Sequence, residues 1–420
     1  MNMMIEKLNA HPGVSDYKIH VHHKESYELF FVKGALETVR CTQTCDKEVT
    51  VYADHEDFKG DAQFFVYPST TEEQLSEKID EAVSKALLIR NQSYTLPEAQ
   101  TGEYTVDSNF ADFPAEELAA RIAKAVFEAN TIENASLNSV EIFINKHTET
   151  VHNSRGLHKT QTRYDAMVEA IPTYNGESQS VELYEQYNFS RFDEETVRAQ
   201  IAGKMAEVKA RYEAAAPAAN LDCPVVLNIQ EIAQLYSSIA RNLNYGTVYA
   251  KSNLFHKGDA IQKEPQGDLL GITMTGEVPG SVRSAKFDAD GMALGSVRLV
   301  EQGKAVNYYG SNRFGQYLGE MPTGSLPCLA ADTGTAVLPE RYLEVVSMSG
   351  LQVDFYNDYI GGEVRLAYYV ENGKVTPITG ISISGKVSQV LSHIRLSATT
   401  GIFNGYCGPD KALLQHIKIF

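Results

Sequence analysis

The chain contains no tryptophan among its 420 residues and only five cysteines. An odd, scattered set does not suggest a disulfide framework. Cys41 and Cys45 lie in a segment that reads as extended. Four residues of strand separate Cα atoms by roughly 13 Å, beyond the reach of a disulfide. Free thiols in a reducing cytoplasm are the expectation. Basic residues are also scarce: 37 Lys and Arg against 54 Asp and Glu leave a formal charge of −17. No Lys/Arg cluster offsets that charge, so a phosphate backbone would be repelled and direct nucleic-acid binding is not expected. No apolar run approaches the roughly 18 residues of a membrane span. The opening MNMMIEKLNAHPG has no basic stretch leading into an apolar one, which argues against a signal peptide. Walker A and GxGxxG phosphate loops are absent.

Hydrophobic residues at 43% and charged residues at 22% suit a globular protein with sizeable cores, and the length suggests two to three domains. The most patterned stretch runs from Glu344 to His393. Val364, Leu366 and Tyr368 alternate with Arg365, Ala367 and Tyr369, the two-residue period of a half-buried strand. Asn372-Gly373 supplies two positive-φ residues for a type I′ hairpin turn. Pro377 lacks an amide donor and marks an edge or a bulge. Ile381 and Ile383 resume the alternation. Val387, Val390, Leu391 and Ile394 then switch to helical spacing.

Residues 1–100 read as one α+β unit. Met4, Ile5 and Leu8 suggest a short helix, Tyr17–His23 and Tyr27–Lys33 two strands with a turn at Gly34, and Glu48–Ala53 and Gln63–Tyr67 two more. Thr70 and Glu73 form a candidate capping box, followed by Leu75, Ile79, Val83 and Ala86 on one helical face. Residues 101–112 read as a polar connector, after which the order repeats. Pro114 belongs in a first helical turn, Leu118, Ile122, Ala125 and Ala129 make a buried stripe, and Val140, Ile142 and Ile144 a strand. Asp193 caps a helix carrying Val197, Ile201, Met205 and Val208. Gly34 to Gly156, Leu75 to Val197 and Ile79 to Ile201 share one offset of about 122 residues, which predicts a tandem duplication across 1–100 and 113–215. The Ala-rich run from Glu213 to Asn220, interrupted by Pro217, is the predicted linker. From residue 224 to 420 the texture changes. Val225–Leu227 is a short strand, and Glu231–Leu243 a helix with Ile232, Leu235, Ile239 and Leu243 on one face. From Val248 onward short strands and Gly-rich turns predict a closed or curled antiparallel sheet. The fold class is therefore α+β, with a mostly antiparallel, barrel-like C-terminal domain.

The string YVENGKVTPITGISISGKVSQVLSHI (Tyr369–Ile394) resembles the C-terminal signature of the TldD/PmbA family, historically called modulators of DNA gyrase. The likeness extends to Gly246-Thr247-Val248-Tyr249-Ala250-Lys251-Ser252, to Phe287–Gly319 and to Gly405-Tyr406-Cys407-Gly408, and is dense over residues 224–420. The resemblance implies a test. TldD-type members carry HExxxH on a helix, with a later cysteine as third metal ligand, and a catalytic zinc needs about three protein ligands and an open position. The matching helix here, QEIAQLYSSIARNLNYG, has no histidine. Ser237, Ser238 and Asn242 lie where those ligands are missing, and Cys407 alone matches the family's cysteine. The chain therefore resembles the PmbA/TldE branch. That implies a cytoplasmic, non-metal subunit, catalytically silent alone, completing a TldD/TldE-type metalloprotease acting on unfolded peptides. It also implies no cofactor in this chain and zinc in a TldD-like partner. Gly246, Tyr249, Lys251 and Cys407 become candidates for substrate-groove or partner contact. The alternative is a homodimeric peptide-binding or scaffold protein without peptidase activity.

Other constellations carry weaker chemistry. His20 and His22 share a strand face at a spacing that can bind metal, yet no third ligand is identifiable, and a partly paired strand face is the plainer reading. Glu231 is a lone glutamate at a helix start, where the dipole favours it on the surface, rather than a general base. Phe287-Asp-Ala-Asp-Gly291 resembles half of a calcium loop without the later acidic ligands, so a β-turn is expected. The 23 tyrosines, several of them in the C-terminal half (Tyr308, Tyr309, Tyr356, Tyr359, Tyr368 and Tyr369), suit either an interface or ordinary sheet composition.

Overall fold

The computed structural model describes residues 2–420. The N-terminal half runs α1 (Asn2–Ala10), β1 (Asp16–Val32), β2 (Ala35–His55), β3 (Phe58–Val66) and α2 (Glu72–Ala86). It continues with β4 (Thr101–Thr105), α3 (Ala115–Glu128), β5 (Ala135–Asn153), β6 (His158–Asn175), β7 (Ser180–Glu182), β8 (Glu185–Phe189) and α4 (Glu194–Glu213). All eight strands form one sheet in the order β3-β2-β1-β5-β6-β4, with β7 and β8 also paired to β6. β1 meets β5 antiparallel at its centre, Tyr27 opposite Ile144. Alternation divides the faces. Tyr17 and Ile19 of β1 pack under α1 and α2, with Leu75, Ile79 and Val83. Leu29 packs with Leu118, Ile122, Val197 and Ile201 under α3 and α4.

Both long hairpins turn at a glycine in the left-handed region, Gly34 (φ 80°) and Gly156 (φ 86°), where a Cβ would be strained. A helix, a hairpin, a further antiparallel strand and a second helix occur in the same order on either side of residue 110. Several local expectations shift. The two strands predicted over 17–33 are one 17-residue strand. The capping box belongs to Thr71 and Gln74, because the Thr70 hydroxyl is taken by the Tyr67 N–H of the preceding turn. The connector 101–112 contains β4, paired parallel to β6, and a 3-10 turn with Phe110 buried. Pro114 sits at the N-cap, one place before the first turn.

The helix α4 stops at Glu213, ahead of Pro217. Beyond it come β9 (Val225–Asn228), α5 (Ile229–Asn242), α6 (Tyr245–Tyr249), β10 (Ile272–Thr275), β11 (Ser296–Glu301), β12 (Lys304–Ala305), α7 (Asn312–Tyr317) and β13 (Cys328–Ala331). Then follow β14 (Arg341–Met348), β15 (Gln352–Asp354), β16 (Tyr359–Glu371), β17 (Lys374–Ile378), β18 (Ile381–Gly385), α8 (Val387–His393) and β19 to β23 (Arg395–Leu396, Thr400–Phe403, Tyr406–Pro409, Lys411–Leu414, Ile417–Ile419). Two curled, mostly antiparallel sheets result, β12-β11-β10-β13-β21-β20 and β19-β22-β9-β14-β16-β18-β23. Each is an open half-barrel; in the second, β15 and β17 pair with β16, and Ile378 at the end of β17 also bridges Ala215. The hairpin turns at Asn372 (φ 51°) and Gly373 (φ 79°), and Pro377 lies on the edge strand β17. Two short helices not read from the sequence, α6 and α7, precede and interrupt the run of strands and turns.

One core fills the C-terminal half: Ile232, Leu235, Ile239 and Leu243 of α5 are fully buried against both sheets and α8. Each such side chain contributes roughly 1.5–3 kcal/mol. The halves join through the turn Asp288–Gly291. The Asp288 Oδ1 caps the N–H groups of Asp290 and Met292. Lys18 reaches Asp290 at 2.6 Å, and Lys159 donates to the Gly291 carbonyl at 2.8 Å. The predicted β-turn thus docks one half on the other.

Candidate functional site

Asn228 ends β9 and caps α5, its side chain accepting the Gln230 N–H at 2.9 Å. The helix therefore starts at a fixed phase. With Ile232, Leu235, Tyr236 and Ile239 buried, Gln230, Gln234, Ser237 and Arg241 are left on the opposite, exposed stripe. That stripe forms one wall of an open groove of about 1360 Å³. Ser238 and Asn242 line it beside Ser237, so the three positions singled out from the sequence do converge on one cavity. Facing them are β15, the following Phe355, Tyr356 and Tyr359, and the turn from Phe403 to Tyr406.

The edges of this groove matter. β15 pairs only with β16, and β20 (Thr400–Phe403) is the last strand of its sheet, paired only with β21. Two strands with an unpaired edge thus border one cavity, and unpaired N–H and C=O groups are what an added extended segment uses.

The polar groups of α5 are mostly occupied by the fold itself. Ser238 donates to Gln234 O at 2.9 Å, Asn242 donates to Ser238 O at 3.1 Å and accepts the Leu254 N–H at 2.9 Å, and Gln234 donates to Leu351 O at 2.7 Å. Hydroxyls and amides bonded in this way are poor zinc donors. Cys407 lies on β21 opposite Ala330 and Ile402, half-buried, and burial raises its thiol pKa above the ordinary value. It does not line the groove. Among the described residues no group of three or more His, Cys, Asp or Glu is arranged to hold a metal ion. The donor set at α5 does not fit a catalytic zinc.

The remaining candidates fall close by. Gly246 lies in α6, between the groove-lining Asn244 and Thr247. Tyr249 is exposed and packs on the rings of Phe314 and Tyr317, and Lys251 adopts φ 55° just after the helix. Neither lines the groove. Tyr309, Tyr356 and Tyr359 do, while Tyr368 and Tyr369 lie within β16.

Two other expectations meet different outcomes. The His22 ring shares a hydrogen bond with His147 at 2.9 Å, and His147 pairs with Asp165 at 2.8 Å. His22 is therefore spent on a paired network, and burial lowers the pKa of both His20 and His22. Glu231 departs from expectation: it is 5% exposed, not a surface residue, and its Oε2 has no hydrogen-bond partner among the described residues. Burial pushes its pKa up to about 7, against the opposing pull of its own backbone N–H and Lys204. It is buried because position 231 lies beside Ile232 and Leu235 on a helix packed on both flanks, a placement that residue type alone does not report. Sequence reasoning also passed over Arg241 and Arg283, both in the groove wall. Arg283 comes from a loop with no periodic signal.

Comparison with known proteins places these features. Residues 220–419 match the family described as PmbA/TldA metallopeptidase C-terminal domain. A curated relative from Haemophilus influenzae, named metalloprotease PmbA homolog, is 24% identical over 421 aligned positions, covering 91% of this chain and 87% of the relative. TldE from Thermococcus kodakarensis has the same fold, with a TM-score of 0.80 at 16% identity, covering 100% of this chain and 99% of its own. A Thermotoga maritima protein, described as a candidate modulator of a DNA gyrase, aligns with a TM-score of 0.78 at 15% identity over 100% of both chains.

Proposed function

From the premise that the chain belongs to the PmbA/TldD/TldE family, we propose that it is the PmbA/TldE-like, non-metal subunit of a TldD/TldE-type metalloprotease acting on unfolded peptides. The observation that carries this reading is the groove itself. It is bordered by two strands with free edges, and its helical wall presents Ser237, Ser238 and Asn242 and no histidine. Such a groove can accept an extended peptide through backbone hydrogen bonds, tolerating many sequences, but cannot activate water with a metal. The partner would bring the zinc, and this chain a wall of the substrate channel, in a pseudo-symmetric pairing of related subunits. The net charge of −17 supports a peptide rather than a nucleic-acid ligand. No described helix is long and apolar enough to cross a membrane, and a cytoplasmic site of action is part of the proposal.

Casein incubated with this chain alone should stay intact and be cut when an HExxxH homologue from the same organism is added, with cleavage stopped by a chelator. Chelator-insensitive cleavage by this chain alone would overturn the reading. No cleavage by the pair, together with no complex on gel filtration, would favour a homodimeric peptide-binding or scaffold protein.

A further inference from the structure

We propose that the groove selects peptides carrying a carboxylate, and that Arg241 and Arg283 are the residues that read it. This inference rests on the peptide-groove reading above and names its preferred ligand class.

The chain carries 54 acidic against 37 basic residues, yet the charged residues lining the groove are Arg241, Arg283 and Asp354. The single carboxylate is already occupied. Asp354 Oδ1 accepts the N–H groups of Tyr356 and Asn357 at 2.9 and 3.0 Å, and its Oδ2 accepts the Asn357 side-chain amide at 2.6 Å. The two cations are not. Many other guanidinium groups find acids, as Arg163 does with Glu149, Arg191 with Asp107 and Arg298 with Asp332, although Arg90, Arg211, Arg341 and Arg365, none of them in the groove wall, do not among the described residues. Among the described residues neither Arg241 nor Arg283 has an ion pair or a hydrogen bond from its guanidinium, and both are exposed.

Their placement is held by the fold. Arg241 occupies the last turn of α5, where the helix dipole favours a cation. Arg283 follows Ser281, whose hydroxyl donates to Asn404 O at 2.6 Å, which ties the loop to the β20–β21 turn. A Cβ built on Gly405 would sit 2.9 Å from Arg283 Cδ, so the arginine stem lies across that glycine at the groove wall. Cations thus stand on the helical wall and on the strand-turn wall, neither in an ion pair with an acid of the protein among the described residues. A planar guanidinium binds a carboxylate through two parallel hydrogen bonds, and bonds to a charged group are the strong ones. The surrounding chain repels acidic peptides at long range, so the preference acts within the groove and should weaken with salt.

The carboxylate can come from a chain terminus or from an Asp or Glu side chain, and the experiment separates them. The full chain is titrated calorimetrically with three eight-residue Ala/Thr/Ser peptides, all N-acetylated. One has a free C-terminus and no acidic side chain, one is the same peptide amidated, and one is amidated with a central Glu. At least one carboxylate peptide should bind about tenfold more tightly than the neutral one, an order set by one charge-assisted bond of roughly 1.5 kcal/mol. Which of the two does so identifies terminus or side chain. Arg241→Gln with Arg283→Gln should collapse the difference, while Arg365→Gln, an exposed arginine on β16 away from the groove, should preserve it. Equal affinity for all three peptides overturns this inference and leaves the peptide groove standing. A preference that survives the double substitution also overturns it. Absence of binding by every peptide removes both this inference and the peptide-groove reading beneath it.

Discussion

Replacing Glu231 by glutamine should stabilise the protein above neutral pH and leave it nearly unchanged well below pH 5. Glu231 is 5% exposed and its Oε2 is unpartnered among the described residues. Burial raises the pKa from 4.5 to about 7 in the folded chain. In the unfolded chain the group loses its proton near the ordinary value. Between the two, the native state binds more protons than the unfolded state, so stability falls as pH rises through that window and levels off above it. At about 1.36 kcal/mol per pH unit the full effect is about 3 kcal/mol. Glutamine keeps the shape and one acceptor, replaces the charged form with a neutral amide, and leaves all other titrating groups in place. The assay is urea unfolding at pH 5, 6, 7 and 8, followed by tyrosine fluorescence, which no tryptophan obscures. The difference between variant and wild type should grow from just under about 1 kcal/mol at pH 5 to about 3 kcal/mol at pH 8 in favour of the variant. A difference independent of pH, or a variant less stable than wild type at pH 8, would refute the reasoning.

Elemental analysis of the purified chain should find no stoichiometric zinc; about one zinc per chain, lost on Cys407→Ser, would contradict the reading of α5. Lys59 is 2% exposed and bonds Asp16 at 2.8 Å and Asp54 at 2.9 Å, so Lys59→Met, which strands a buried carboxylate, should cost about 3–5 kcal/mol in urea unfolding. Burial would raise the Asp16 pKa, but hydrogen bonds from Lys59 and Ser154 outweigh it and hold it low. Wild type should therefore lose this stabilisation as pH falls through the lowered value, whereas the variant, left with the Ser154 bond and Arg155 alone, should lose less. We also propose that the N-terminal half arose by duplication. An experimental structure in which residues 1–100 superpose on 113–215 with Gly34 on Gly156 would agree, and unrelated topologies would sink the idea.

What the sequence determined by itself was local and periodic. Asn372-Gly373 dictates its turn through the backbone alone, and the i, i+3, i+4 spacing of Ile232, Leu235 and Ile239 fixes which face of α5 goes inward. The hairpin strands and helix stripes followed from the same rules. Signals shared between neighbours were less certain: Thr70 and Thr71 compete for one cap, and only the turn at Tyr67 decides between them. The rest depended on parts of the chain far apart. β4 is a strand only because β6 offers it an edge, some 57 residues on (His158 opposite Thr101). Glu231 is buried because α5 is packed on both flanks, and its pKa rises because that burial strips water from the carboxylate. The groove needs α5, β15 and the β20–β21 turn at once, from positions 230 to 406, and its two unpaired arginines acquire meaning only beside an already occupied Asp354. Periodicity reports which way a side chain faces; only the closed fold decides what it meets there.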